Sequence, residues 1–176
     1  MGLYQAGFNV VGVDKDPQPH YPFPFWQRDV LDLDPTWLAQ FDFVWASPPC
    51  QCFIRGTGQR GTRGNFLNLI PATRDLLKAG GTMYCIENVS EAHREMRRDL
   101  MLCGSMFGLR LIRHRIFELE GFKAYPKIHR EHHPKFITVA GHAGGSSTRD
   151  GTRGHGSTAE WREAIGTAAR RRLRAR

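Results

Sequence analysis

The sequence predicts an α/β fold with a mostly parallel sheet and helices on both faces. Short apolar runs typical of buried strands alternate with segments of helical pattern, as parallel strands joined by crossover helices require. Three of these runs end on chemically reactive side chains, which are those of Asp14, Cys50 and Glu87. Because ligands bind beyond the carboxyl ends of parallel strands, we expect these three ends to meet in one crevice.

Local patterns place the elements of the first half in order. Helical spacing of apolar residues covers 35–40 and 67–79, and Gly80-Gly81 is a stop signal for the second helix. Apolar runs of strand length cover 9–13, 41–46 and 83–86.

The second half continues with strands and a loop. Residues 112–119 alternate as a strand does, which places Arg113 and Arg115 on one face. A further strand is predicted at 136–140, and the composition of 141–157 predicts a mobile loop.

Length and charge limit the classes of function. A chain of 176 residues and 20.0 kDa has room for a single buried core. The mean hydropathy of −0.45 and the absence of a long apolar run or signal pattern predict a cytoplasmic protein. A net charge of +8 predicts a polyanionic partner such as nucleic acid, although arginines of the last residues supply a large share of it.

The cysteines predict free thiols. In a reducing compartment a disulfide framework is disfavoured, and Cys85 and Cys103 lie in apolar stretches where a thiol acts as a small buried hydrophobe. The main prediction contains no metal, because Cys-x-Cys is not the usual ligand spacing and no second cysteine pair follows. The alternative is a zinc-stabilised nucleic-acid module whose ligands come from Cys50, Cys52, His129, His132 and His133.

Cys50 has the setting of a nucleophile. Two prolines directly after a strand restrict the backbone and hold the thiol in place, and Arg113 and Arg115 are candidates to favour its thiolate. Glu87 follows an apolar run, which favours a partly desolvated acid that shares a proton with a substrate nitrogen.

Three motifs carry a resemblance to a known family. Pro48-Pro49-Cys50-Gln51, Glu87-Asn88-Val89 and Arg113-His114-Arg115 resemble core motifs of the C5-cytosine DNA methyltransferases, in the same order. The short DNA methylases of actinobacterial phages are the most similar, over about residues 7–166, with further likeness at 5–14, 102–109 and 139–142. The resemblance implies a Rossmann-like class I fold that depends on S-adenosylmethionine.

The resemblance also implies roles for single residues. Cys50 would add to C6 of a cytosine flipped out of double-stranded DNA, while Glu87 steadies N3 and Arg113 and Arg115 hold the base. The methyl group would come from S-adenosylmethionine. Asp14, Asp29 and Pro48 would bind that cofactor, and Gln51 and Asn88 would bind the substrate.

The chain departs from the family pattern in several places. The glycine-rich loop expected about 20 residues before Asp14 would precede Met1, so the first strand is predicted to be missing. We therefore expect one catalytic domain at 1–166, without a large target-recognition domain, and a basic disordered tail at 167–176. Leu111 also stands where the family often has glutamine. The alternative is a truncated, inactive remnant that binds DNA.

Overall fold

The computed structural model describes residues 1–53, 66–125, 128–129, 131–132 and 137–138. They form a mixed α/β fold with eight strands and short helices. The helices are α1 (Gly2–Gln5), α2 (Pro35–Leu38) and α3 (Ile70–Gly80), with 3-10 turns at Val30–Asp32, Ser90–Ala92 and Gly104–Phe107. The strands are β1 (Gly12–Asp14), β2 (Phe25–Gln27), β3 (Phe43–Ala46), β4 (Met83–Val89), β5 (Leu100–Cys103), β6 (Leu111–Ile112), β7 (His114–Glu120) and β8 (Ile137–Thr138).

The central sheet has four strands in the order β3-β4-β7-β5. Strands β3 and β4 are parallel, whereas β7 runs antiparallel to both β4 and β5. Strands β3, β4 and β5 therefore share one direction, so the prediction of a mostly parallel sheet is met in part, and β7 alone of the four strands is reversed. The physical reason is the short connection at 104–113, because a parallel return from β5 to β7 would need a crossover of roughly a dozen residues or more.

Two smaller sheets accompany the central one. Strands β1 and β2 pair only with each other in the described chain, in parallel, and β6 pairs with β8 in the same way. The predicted strand at 112–119 is therefore interrupted. Leu111–Ile112 forms β6, and β7 begins at His114 after a break at Arg113. The predicted strand at 136–140 is confirmed only as the two residues of β8.

Helix α3 covers one face of the central sheet. Pro71 fits its first turn, and Gly81 ends it with a left-handed φ of 69°, so the predicted stop at the glycine pair is confirmed. The main core cluster joins this helix to one face of the strands through Ile70, Leu77, Tyr84, Ile86 and Ile116. A second cluster on the opposite face is built from Cys85, Phe117 and Leu119.

Some predictions lie outside the described residues, or are met only in part. Helix 35–40 is confirmed as the single turn α2. Among the described residues α3 is the one helix longer than four residues, so helical cover is seen on one face of the central sheet. The predicted loop at 141–157 and the predicted tail at 167–176 lie outside the described residues.

Within the described chain no helix has the length and apolar character that crossing a membrane requires.

A buried ion pair joins α3 to β7. The carboxylate of Glu118 is 0% exposed and accepts hydrogen bonds from Arg74 Nε at 2.7 Å, Arg74 Nη2 at 2.8 Å and Arg97 N at 3.0 Å. Burial alone would raise the pKa of Glu118, but Arg74 and Arg97 outweigh it and hold the pKa below its ordinary value of 4.5. The charge of Glu118 therefore stabilises the fold above that pH.

Glu118→Gln should lower the free energy of unfolding by about 2 kcal/mol at neutral pH, the scale of hydrogen bonds to a charged group. Because the folded-state pKa is depressed, the stability that this charge adds should be lost as the pH falls below 4.5. Glu120→Gln is the matched control, since its side chain is 49% exposed beside Arg97 and should cost less than about 1 kcal/mol. Urea denaturation measures both variants, and equal losses would contradict the assignment.

Candidate active site

A cleft of about 290 Å³ opens at the carboxyl ends of β3 and β4. This volume lies near the lower end of small-molecule pockets, roughly 300–1,000 Å³. At this edge of the sheet, the residues that directly follow two adjacent parallel strands lie close together. Its lining comes from the segment after β3, from the end of β4 and from the start of β7, and consists of Ser47, Pro48, Pro49, Cys50, Gln51, Glu87, Asn88, Val89, Arg113 and Arg115.

A long-range hydrogen bond fixes the segment that carries Cys50. Asn88 Nδ2 donates to the carbonyl oxygen of Pro48 at 2.9 Å, and Asn88 Oδ1 accepts from Val89 N at 2.9 Å. Asn88 is only 2% exposed, and Pro48 is buried as well. Asn88, which is predicted to bind the substrate, lines the cleft and also holds Pro48 in position.

Cys50 lies half-buried at the rim of the main core. Its carbonyl oxygen accepts a hydrogen bond from Phe53 N at 2.9 Å, which closes a turn directly after the prolines. Cys50 lines the cleft, so a substrate bound there can reach its thiol. A nucleophile needs this fixed position, because covalent addition depends on alignment with the electrophilic atom.

Arg113 brings positive charge to this thiol. Burial and the neighbouring charge of Arg115 lower the pKa of Arg113. The negative charges of Glu87 and Cys50 raise the same pKa, but by less. The negative charge of a Cys50 thiolate thus stabilises the guanidinium of Arg113. Arg113 and Cys50 both line the cleft, so the guanidinium places positive charge in the space that the thiol faces.

Glu87 and Arg115 form an ion pair inside the cleft. Arg115 Nε lies 2.7 Å from Glu87 Oε1, with the side chains 24% and 19% exposed. Arg115 Nη1 also donates to the carbonyl oxygen of His114 at 2.8 Å, which fixes the plane of the guanidinium. A carboxylate oriented in this way can accept a hydrogen bond from a protonated ring nitrogen, and the arginine offers donors to a carbonyl oxygen beside it.

The structure brings most of the predicted site residues together. Pro48, Gln51 and Asn88 line the cleft with the four predicted catalytic residues. Three residues that were not predicted as site residues, Ser47, Pro49 and Val89, also line it. Each lies next to a predicted site residue, and sequence adjacency was the signal that could have identified all three.

Asp14 and Asp29 do not line this cleft. Asp14 Oδ1 accepts from Asp16 N at 2.9 Å, and Asp29 Oδ1 accepts from Leu31 N at 3.0 Å. Both carboxylates therefore stabilise local turns. Because β1 pairs with β2 outside the central sheet, the end of β1 does not join the cleft as the strand pattern predicted.

The thiols should differ sharply in reactivity. Cys85 is 2% exposed, and burial raises the pKa of its thiol to about 12, so it stays protonated in mildly alkaline buffer. Iodoacetamide at pH 8 should modify Cys50 well before Cys85 in the folded chain, and urea should abolish the difference. Peptide mapping by mass spectrometry measures both, and equal labelling of the folded protein would contradict the assigned environments.

No protein-family model matches the chain, and no curated protein matches its sequence. The residues of the cleft, and the chemistry that they allow, are the basis on which a function can be inferred.

Proposed function

We propose that the chain is a DNA (cytosine-5-)-methyltransferase that uses S-adenosylmethionine and works through a covalent adduct of Cys50. The observation that carries this proposal is the convergence of Cys50, Glu87, Arg113 and Arg115 on one cleft from three separate segments. A Rossmann-like class I fold is part of the proposal. The parallel pair of β3 and β4, with the cleft at its carboxyl ends, supports it.

The first step uses the thiol. Cytosine resists substitution at C5 until a nucleophile adds to C6, which turns C5 into a carbanion-like centre. In the proposed step the Cys50 thiolate forms a bond to C6, and the electron pair of the C5–C6 double bond moves toward C5 and the ring. Arg113 stabilises the thiolate before attack.

Glu87 and Arg115 stabilise the negative charge that this addition sends into the ring. A proton held between N3 and the Glu87 carboxylate neutralises the ring as the bond to C6 forms. Arg115, held by Glu87 and by the carbonyl of His114, directs the remaining guanidinium donors toward the cytosine O2. Once C5 carries the methyl group, whose transfer would leave S-adenosylhomocysteine, a base from solvent takes the C5 proton. The electrons of the C5–H bond then re-form the C5–C6 double bond, and the bond between C6 and Cys50 breaks to restore the thiolate.

Fewer of the residues predicted to bind the cofactor line the cleft than of those predicted to hold the base. S-adenosylmethionine supplies an electrophilic methyl group when it is bound. Of the three residues that the resemblance assigns to it, Pro48 alone lines the cleft. The described residues therefore fit a cytosine better than they fit the cofactor.

Double-stranded DNA is the proposed partner. The chain carries a formal charge of +8, and lysine and arginine contacts to phosphates supply most non-specific affinity for DNA. A target base reaches a cleft of this kind only after leaving the helix stack. All four cysteines are free, which fits action in the reducing cytoplasm.

A second candidate is a DNA-binding protein without methyltransferase activity. The observation in its favour is that the carboxylates of Asp14 and Asp29 hold local turns away from the cleft. Such a protein would bind DNA and would form no adduct.

A mechanism-based adduct separates the candidates. The chain is incubated with S-adenosylmethionine and duplex DNA that contains 5-fluorocytosine, in which fluorine at C5 blocks the final elimination. We expect a denaturant-resistant complex of protein and DNA, because Cys50 stays bonded to C6. Cys50→Ser should form none, and Cys52→Ser is the matched control that should keep adduct formation.

The result is read on a denaturing gel beside a native gel-shift assay. An adduct that persists in Cys50→Ser would contradict the assigned nucleophile. DNA binding without an adduct in the unaltered chain would favour the second candidate.

A further inference from the structure

A cluster of one cysteine and three histidines lies outside the lining of the cleft. It consists of Cys103, His114, His129 and His132, and one ligand atom from each lies within 4.8 Å of all the others. Cys103 is 1% exposed, and the three histidines are half-buried. None of the four lines the cleft that contains Cys50.

The backbone prepares this cluster. Cys103 ends β5, His114 begins β7, and the two are direct partners in the antiparallel pairing. Directly paired residues project to the same face of a sheet with their Cβ atoms about 5 Å apart. His129 and His132 come from the segment after β7 and complete the group from the other side.

Three of the six distances between ligand atoms in this cluster are close to those of a tetrahedral zinc site, and the other three are no longer than 4.8 Å. Bonds of about 2.3 Å to sulfur and 2.05 Å to nitrogen at tetrahedral angles place sulfur about 3.6 Å from nitrogen, and two nitrogens about 3.4 Å apart. Cys103 Sγ lies 3.4 Å from His132 Nε2. His129 Nε2 lies 3.3 Å from His114 Nε2 and 3.0 Å from His132 Nε2.

Hydrogen bonds alone account poorly for this packing. Nε2 of His129 has either one hydrogen or one lone pair, yet it faces the Nε2 atoms of both His114 and His132. One atom must then serve two partners. A cation removes the conflict, because every ligand atom directs a lone pair toward it.

We infer that Cys103, His114, His129 and His132 bind one Zn²⁺ ion in a closed structural site. A thiolate with three imidazoles is a donor set that suits zinc, and four protein ligands leave no open position for a reacting water. On binding, the Cys103 thiol releases its proton to solvent, while the imidazoles bind in their neutral form. The site is independent of the function proposed for the cleft.

This set differs from the zinc alternative of the sequence analysis. His129 and His132 belong to both sets, but the structure places them with Cys103 and His114, whereas Cys50 lies in the cleft with Glu87. Cys103 is buried, as the sequence analysis predicted, and the inference adds a ligand role for its thiol. His133 lies outside the described residues.

The position of His114 gives the ion a structural role. His114 lies between Arg113 and Arg115, whose side chains line the cleft. A metal bound to His114 and Cys103 would clamp the end of β5 to the start of β7 and tie the following segment to both. Zinc would therefore stabilise the strand that carries the arginines of the cleft.

Metal analysis of the full, untagged chain tests the site. We expect close to one zinc ion per folded chain by plasma mass spectrometry, and a chelator should lower the unfolding temperature. His129→Ala and Cys103→Ser should each lose more than half of the zinc. His93→Ala is the matched control, because this exposed histidine lies outside the cluster and should retain the metal.

Cys50→Ser distinguishes the two zinc hypotheses, since it should keep full zinc content while losing the adduct of the proposed methyltransferase. Cobalt substitution adds a readout that does not depend on activity. The wild type should show the visible bands of tetrahedral Co²⁺ and a thiolate charge-transfer band, and Cys103→Ser should lose the latter. A folded wild-type chain with neither zinc nor cobalt bands would overturn the inference, as would full zinc content in both Cys103→Ser and His129→Ala.

Discussion

The antiparallel pairing of β7 with both β4 and β5 is the constraint on which the rest of the structure depends. It places Val89 opposite Arg115 and Cys103 opposite His114. Consecutive residues of a strand project to opposite faces, so His114 and Arg115 leave β7 in different directions. One strand thereby supplies the arginine that pairs with Glu87 and the histidine that meets Cys103. Farther along the same strand, Glu118 is held by Arg74 of α3.

The cleft depends on a second long-range contact, between the ends of β3 and β4. These strands are parallel neighbours, and the side chain of Asn88 joins their ends by its hydrogen bond to Pro48. Buried amides are costly to leave unpaired, so this bond holds the proline segment strongly. Cys50 and Glu87 then face the same space although they lie 37 positions apart in the sequence. The chemistry proposed for the cleft requires this fixed geometry more than any single charge.

Local patterns predicted much of this arrangement. Strand ends and helix stops are set by a few neighbouring residues, such as the apolar runs before Cys50 and Glu87 and the glycine pair after α3. The sequence alone therefore predicted that both side chains follow strands and meet in one cleft. The reversal of β7 was not predicted, because it depends on the short connection at 104–113 and on pairing with β4 and β5. The pairing of Cys103 with His114 was not predicted either, because only the register of two strands brings these residues together.

The central claim is that Cys50 adds to C6 of cytosine in the cleft formed with Glu87, Arg113 and Arg115. Reversible addition at C6 makes C5 exchange its hydrogen with water, even without methyl transfer. The most direct measurement is therefore the release of tritium from DNA labelled at C5 of cytosine, with the unaltered chain beside Cys50→Ser. We expect tritium release that requires Cys50. Tritium release at the same rate in Cys50→Ser, or none from an unaltered chain that binds the DNA, would contradict it.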